Sequence, residues 1–120
     1  MILNWGVENL GTVAGSYYIW PGSGLISTAP VSFRVPQDML INNLQVHQAA
    51  IPGGAAVTYE LWLNGSPTGL SVSLDGDTSD GSDLVNSFDA PAGSLISLVA
   101  TVPSGLTSGI RMVCISAEGT

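Results

Sequence analysis

Ile41-Asn-Asn-Leu-Gln-Val-His-Gln-Ala-Ala50, a Pro52-Gly53-Gly54 break, Val57-Thr-Tyr-Glu-Leu-Trp-Leu63, Asn64-Gly65 and Leu70-Ser-Val-Ser-Leu74 form the stretch that decides the fold class. Leu44 and Val46 alternate with Gln45 and His47. Val57, Tyr59, Leu61 and Leu63 alternate with Thr58, Glu60 and Trp62, and Leu70, Val72 and Leu74 alternate with Ser71 and Ser73. A period of two sends neighbouring side chains to opposite faces of a pleated strand, so each segment has one apolar and one mostly polar side. Asn64-Gly65 supplies adjacent residues that tolerate positive φ, as a tight hairpin turn requires. A meander of three consecutive strands is expected, its apolar side covered by a second sheet.

The same punctuation continues outward in both directions. Residues 1–7 suit a first strand carrying Trp5, and Ser16-Tyr17-Tyr18-Ile19-Trp20 a second, ended by Pro21-Gly22-Ser23-Gly24. Residues 31–35 form a strand closed by Pro36, and 37–40 a turn or a single helical turn. Beyond Leu74, the charge-dense segment 75–83 is expected to be a hydrated, extended loop, because its carboxylates repel one another. Strands follow at 84–90, 94–102 and 110–116, separated by Pro91-Ala92-Gly93 and a loop at 103–109. No amphipathic helix interrupts them. Short, evenly spaced strands predict an all-β protein: an antiparallel β-sandwich of jelly-roll type with about eight strands. Residues 1–120 are expected to form this one domain, with 1–24 a segment contacting other subunits or a capsid.

Composition narrows the function classes. Hydrophobic residues make up 45% of the chain and charged residues 9%, far below the usual quarter. There is no lysine; Arg34 and Arg111 stand against nine carboxylates, for a net charge of −7. That balance argues against nucleic acid, which is held by clusters of cations, and against an anionic membrane surface. The longest apolar run, 95–102, contains Ser97 and Thr101 and is too short to span a bilayer. A surface so poor in charge is weakly defended against self-association, which points to an oligomer. The N-terminus has no basic region of the kind a signal peptide carries. Cys114 has no partner for an internal disulfide and reads as a small buried residue of the last strand.

Few residues offer chemistry. His47 lies on the polar side of its strand, with no sequence motif placing a nucleophile or an orienting carboxylate beside it. Asp75, Asp77, Asp80 and Asp83 could supply oxygens to calcium, but their spacing departs from the EF-hand pattern. No catalytic residue, metal or cofactor is therefore expected. Asn64-Gly65-Ser66 matches a glycosylation acceptor, yet the turn explains the pair. Trp62 shares the polar side of its strand with Thr58 and Glu60, where it could stack a sugar or meet another subunit. Trp5, Tyr17, Tyr18, Trp20 and Trp62 are the expected interface residues.

The pattern of residues 41–74, followed by the Asp/Ser loop, Asn86-Ser-Phe and Pro91-Ala-Gly-Ser-Leu-Ile-Ser-Leu, resembles a β-sandwich of tailed-bacteriophage virion proteins. These are head decoration (cement) proteins and fibre terminal domains. The resemblance spans residues 41–116 and is one of pattern. It implies a jelly-roll homotrimer bound to the major capsid protein on the outer capsid surface of the virion, assembled in the host cytoplasm. No shaft-like stretch accompanies it, which favours decoration over a fibre. The rival it leaves open is a receptor- or carbohydrate-binding fibre tip, and an enzyme is not expected.

Overall fold

The computed structural model describes residues 2–11, 13–21, 25–49, 56–75, 78–105 and 111–120, with only the backbone of Arg111 and Met112. The Pro52-Gly53-Gly54 break, the turn at Gly22-Ser23-Gly24, Asp77 and residues 106–110 of the last loop lie outside the described residues.

Every element among the described residues is a strand: β1 (Ile2–Asn9), β2 (Gly15–Ile19), β3 (Ile26–Ser27), β4 (Phe33–Arg34), β5 (Met39–Ala49), β6 (Val57–Leu63), β7 (Ser66–Leu74), β8 (Asp80–Asp83), β9 (Phe88–Ala90), β10 (Leu95–Val102) and β11 (Arg111–Gly119). All pairings are antiparallel. One sheet, here the terminal sheet, runs β1-β11-β5-β8, with β9 also on β5. The other, the hairpin sheet, runs β3-β2-β10-β6-β7, with β4 also on β10. The sandwich of jelly-roll type is as expected. Leaving out the elements of two or three residues, β3, β4 and β9, eight strands remain.

Alternation builds the core. Trp5, Ile41, Leu44, Val46 and Ile115 point inward from the terminal sheet; Tyr59, Leu61, Leu70, Ile96 and Leu98 meet them from the hairpin sheet. The hairpin turn forms as the sequence demands, with Asn64 at φ 50° and Gly65 at φ 82°.

The expected three-strand meander does not form. β5 pairs with β11, β8 and β9, whereas β6 pairs with β10 and β7. Leu44 and Val46 therefore face Val57 and Tyr59 across the core instead of lying beside them. Alternation fixes which side of a strand is apolar and leaves open which sheet it joins.

Three further expectations change. Asp80–Asp83 is not a hydrated loop but a strand on β5, and Gly81 makes this possible. A Cβ at Gly81 would stand 2.5 Å from Leu74 Cδ2 and 2.8 Å from Val72 Cγ1, so glycine lets β8 close onto β7 at the seam between the sheets. The strand expected at 84–90 shrinks to β9, because Asp83 Oδ1 accepts the amides of Val85 (3.1 Å) and Asn86 (3.0 Å) and turns the chain. Residues 37–40 make no helical turn; Met39 already opens β5.

One inward position of β5 is polar. Gln48 is 0% exposed. Tyr59 Oη donates to its Oε1 at 2.9 Å, while its Nε2 donates to the carbonyls of Asp75 (3.2 Å) and Thr78 (2.9 Å). Burial holds the Tyr59 phenol well above its usual range, so it stays a donor. This bridge joins the two sheets and ties down the chain leading into β8.

Candidate functional site

The two sheets present opposite kinds of outer surface. On the terminal sheet, strand register assembles residues from four strands into rows. Gly6, Cys114, His47 and Asp80 are successive cross-strand partners, as are Asn4, Ser116, Gln45 and Ser82. Partners directly opposite one another bring their Cβ atoms to about 4.5–5.5 Å. All of these except Gly6 line an open concavity of about 640 Å³.

Within the first row, His47 Nδ1 lies 2.7 Å from Asp80 Oδ1. Ser79 Oγ donates to the other carboxylate oxygen at 3.1 Å. Hydrogen bonds from His47 and then Ser79 hold the Asp80 carboxyl below its ordinary range, so it is the anionic acceptor and Nδ1–H the donor. Both side chains are largely solvent-exposed, and the pair is worth little to stability. Its consequence is orientation. Asp80 fixes one edge of the imidazole, and Nε2 has no partner among the described residues.

This row corrects two expectations. Cys114 is exposed rather than buried, since the inward positions of β11 belong to Val113 and Ile115. His47 does have a carboxylate beside it, delivered by the pairing of β5 with β8.

The outer face of the hairpin sheet is aromatic. Tyr18 is opposite Val99, which is opposite Glu60; Ser97 is opposite Trp62. Trp20 continues the β2–β3 ladder, its amide donating to Leu25 O at 3.0 Å. Alternation around the inward Ile19 places Trp20 on the Tyr18 side, and it is 43% exposed. Ser97 and Val99 face outward yet are only 5% and 3% exposed, so the larger side chains around them shield this floor. Val99 lies outside the central core cluster.

Of the five expected interface residues, Tyr18, Trp20 and Trp62 thus share one face. Trp5 does not join them: it is 3% exposed, in the core, its ring centroid 5.9 Å from that of Phe33. Its Nε1 has no hydrogen-bond partner among the described residues. Tyr17 is also turned inward, half-buried against the core, with its hydroxyl donating to Val13 O at 2.8 Å. Within the expected contact segment 1–24, β1 and β2 are integral to the two sheets.

The described aspartates of this segment, Asp75, Asp80 and Asp83, do not converge as a calcium cage would require. Asp80 faces His47. Asp83 accepts from Val85 N, Asn86 N, Asn86 Nδ2 and Ser71 N. No group of three metal-ligating side chains occurs among the described residues.

No family model and no curated protein matches the chain. Similar solved structures are sandwiches at low identity. The CBM36-1 domain of a multidomain xylanase from the hindgut metagenome of Trinervitermes trinervoides aligns at TM-score 0.52 and 10% identity, covering 100% of this chain and 98% of that one. FLHE aligns at 0.48 and 15%, covering 98% and 94%. The GH26-CBM35 β-(1,4)-mannanase of Podospora anserina aligns at 0.48 and 14%, covering 98% of this chain and 28% of that one. The likeness to the CBM36-1 domain, at 10% identity, shows a shared fold alone.

Proposed function

We propose that this chain is a non-catalytic recognition module that binds glycan across the outer face of the hairpin sheet. The observation that carries this reading is the placement of Tyr18, Trp20 and Trp62 together on that face, around the shielded floor of Ser97 and Val99. A pyranose ring has an apolar C–H face that stacks on an aromatic ring, and polar groups at its rim bind the hydroxyls. Glu60 and its partner Ser71 supply such groups at the next outward position from Trp62, with Thr58 further along the strand. Tyr18 and Trp62 stand on strands separated by β10, a span of about 10 Å, the scale of two linked sugar rings. The sandwich fold shared with a xylanase domain is compatible with this reading.

A glycan array followed by affinity electrophoresis in soluble polysaccharides tests the proposal. Wild type should be retarded by at least one polysaccharide, and Trp62→Ala and Tyr18→Ala should each be retarded less while keeping the wild-type circular dichroism. A wild-type protein that recognises no glycan on the array would overturn it.

A second reading draws on the exposed apolar side chains at Leu84 and Val85, the latter 91% exposed, together with the charge-poor composition. Here the protein is the virion decoration homotrimer that the sequence resemblance implies, bound to the major capsid protein. Native mass and occupancy of purified capsids test that reading. A monomer at high concentration that leaves capsids bare rules it out.

A further inference from the structure

We propose that the row Gly6–Cys114–His47–Asp80 is a reactive thiol site, in which His47 serves Cys114 as a base and the thiol takes up polar, peptide-like disulfides by exchange. The inference is independent of the glycan reading, since it concerns the opposite sheet.

Three observations carry it. First, register makes Cys114 and His47 directly opposed partners, both on the outer face. Second, Nδ1 of His47 is committed to Asp80 on the β8 side. Nε2 has no partner among the described residues, and Cys114 stands directly opposite on the neighbouring strand, β11. With Nδ1 protonated, Nε2 of the neutral ring is the proton acceptor. Third, the row ends in Gly6 on β1, so no side chain flanks the thiol from that direction. A Cβ at Gly6 would meet only Val113 O, at 3.4 Å, so the notch is a matter of residue choice and not of crowding.

The chemistry balances without any further reactant. His47 Nε2 accepts the thiol proton, and the Cys114 thiolate attacks one sulfur of a disulfide. A new S–S bond forms at Cys114 as the old one breaks, and the departing thiolate takes the proton from His47. The Cys114 sulfur passes from thiol to disulfide level as the departing sulfur passes from disulfide to thiol level, so no further oxidant is needed. The second row, Asn4, Ser116, Gln45 and Ser82, lies alongside with amides and hydroxyls that suit the amide groups of a peptide-like disulfide. Other ionisable groups facing the site are Asp80 on β8 and Glu8 on β1, two residues from Gly6. Both are carboxylic acids, which makes His47 the only described base beside the thiol.

The test is the rate at which native protein reacts with dithiodipyridine, a neutral disulfide, followed across pH, with the urea-unfolded chain as the unactivated reference. Native wild type should react faster than the unfolded chain and with a rate–pH profile of different shape. His47→Ala should slow on the order of tenfold, a fraction of what a positioned base contributes in enzymes. Asp80→Asn should change the shape of the rate–pH profile, as expected for a positioning residue. Cys114→Ser should not react. Gly6→Leu, which covers the thiol and spares the His–Asp pair, should also be slow; it carries the test should His47→Ala fail to fold. A His47→Ala chain that is folded and as fast as wild type overturns the proposal, as does a Gly6→Leu chain of undiminished rate. Intact mass after incubation with oxidised glutathione should show one mixed disulfide. Reaction with dithiodipyridine but not with glutathione would overturn the assignment to peptide-like disulfides.

Discussion

The outer faces of the two sheets are built by the same alternation and end up chemically unlike. On the hairpin sheet, every second position of β2, β6 and β10 puts Tyr18, Trp62 and Val99 outward, and the large side chains cover small ones. On the terminal sheet the same positions of β1, β11, β5 and β8 hold Asn4, Gly6, Cys114, Ser116, Gln45, His47, Asp80 and Ser82. The first is a surface for stacking, the second a concavity of hydrogen-bonding and titratable groups. A protein that used its exterior only for solubility would need neither. With so little charge in the chain, the two faces differ in shape and in a few placed groups.

The sharpest way to break this contrast is to remove one face and measure both. Trp62→Ala should weaken glycan binding about tenfold, since a lost aromatic contact is worth roughly 0.5–1.5 kcal/mol. Combining it with Tyr18→Ala should approach a hundredfold if the two sites add. Thiol reactivity should be unchanged in both variants. Conversely, Cys114→Ser and His47→Ala should leave glycan retention as in wild type. Loss of glycan binding in Cys114→Ser would mean that the faces are not separate.

Gly81→Ala comes next. The added methyl must displace Leu74 and Val72 at the seam, and overpacking of this kind typically costs about 1–3 kcal/mol. Because β8 carries Asp80, its displacement should also lower Cys114 reactivity, whereas the aromatic face, on strands away from the seam, should still bind. Urea unfolding and the thiol assay on one sample check both effects. Wild-type stability in this variant would show that the seam has room to spare.

How far sequence reaches differs between the faces. That Trp62 points away from Leu61 and Leu63 follows from β6 alone, and the Asn64-Gly65 turn follows from the φ that its residues tolerate. The row Gly6–Cys114–His47–Asp80 is different in kind. It needs β5 to sit between β11 and β8, and that register is set by pairings between distant residues, which no local pattern encodes. The same gap explains Trp5 and Gln48. An aromatic near a chain end reads as exposed, and only the placement of β1 beside β11 makes Trp5 interior. Gln48 shares the apolar side of its strand with Leu44 and Val46, and its partner, the Tyr59 hydroxyl, comes from across the core. The expected hydrated aspartate loop failed for a related reason: Gly81 gains its meaning from Leu74 and Val72, brought near by the closure of the sandwich.

Tyr59→Phe separates framework from face more gently. It removes the donor to Gln48 Oε1 and leaves a buried acceptor unsatisfied, a loss of about 1–3 kcal/mol. Gln48 Nε2 would still hold Asp75 and Thr78, so β8 should remain in place and Cys114 should keep its rate. Equal loss of stability and thiol reactivity would instead make the bridge part of the site.

The smallest expected effect distinguishes the two carboxylates of β8. Burial acts to raise Asp83, but hydrogen bonds from the Asn86 amide and side chain, Val85 N and Ser71 N outweigh it and hold the group at about 2. A carboxyl depressed in the folded state contributes stability that is fully present above its unfolded value of about 4 and is lost as pH falls toward 2. Asp83→Asn should therefore lower the urea midpoint at pH 7, and the difference from wild type should shrink between pH 4 and 2. Asp80 is depressed too, by His47 and then Ser79, but it is solvent-exposed, so Asp80→Asn should leave the midpoint essentially where it is at pH 7. If both variants lost the same stability, Asp80 would be a framework residue, and its hydrogen bond to His47 would no longer single out the terminal face as a place for chemistry.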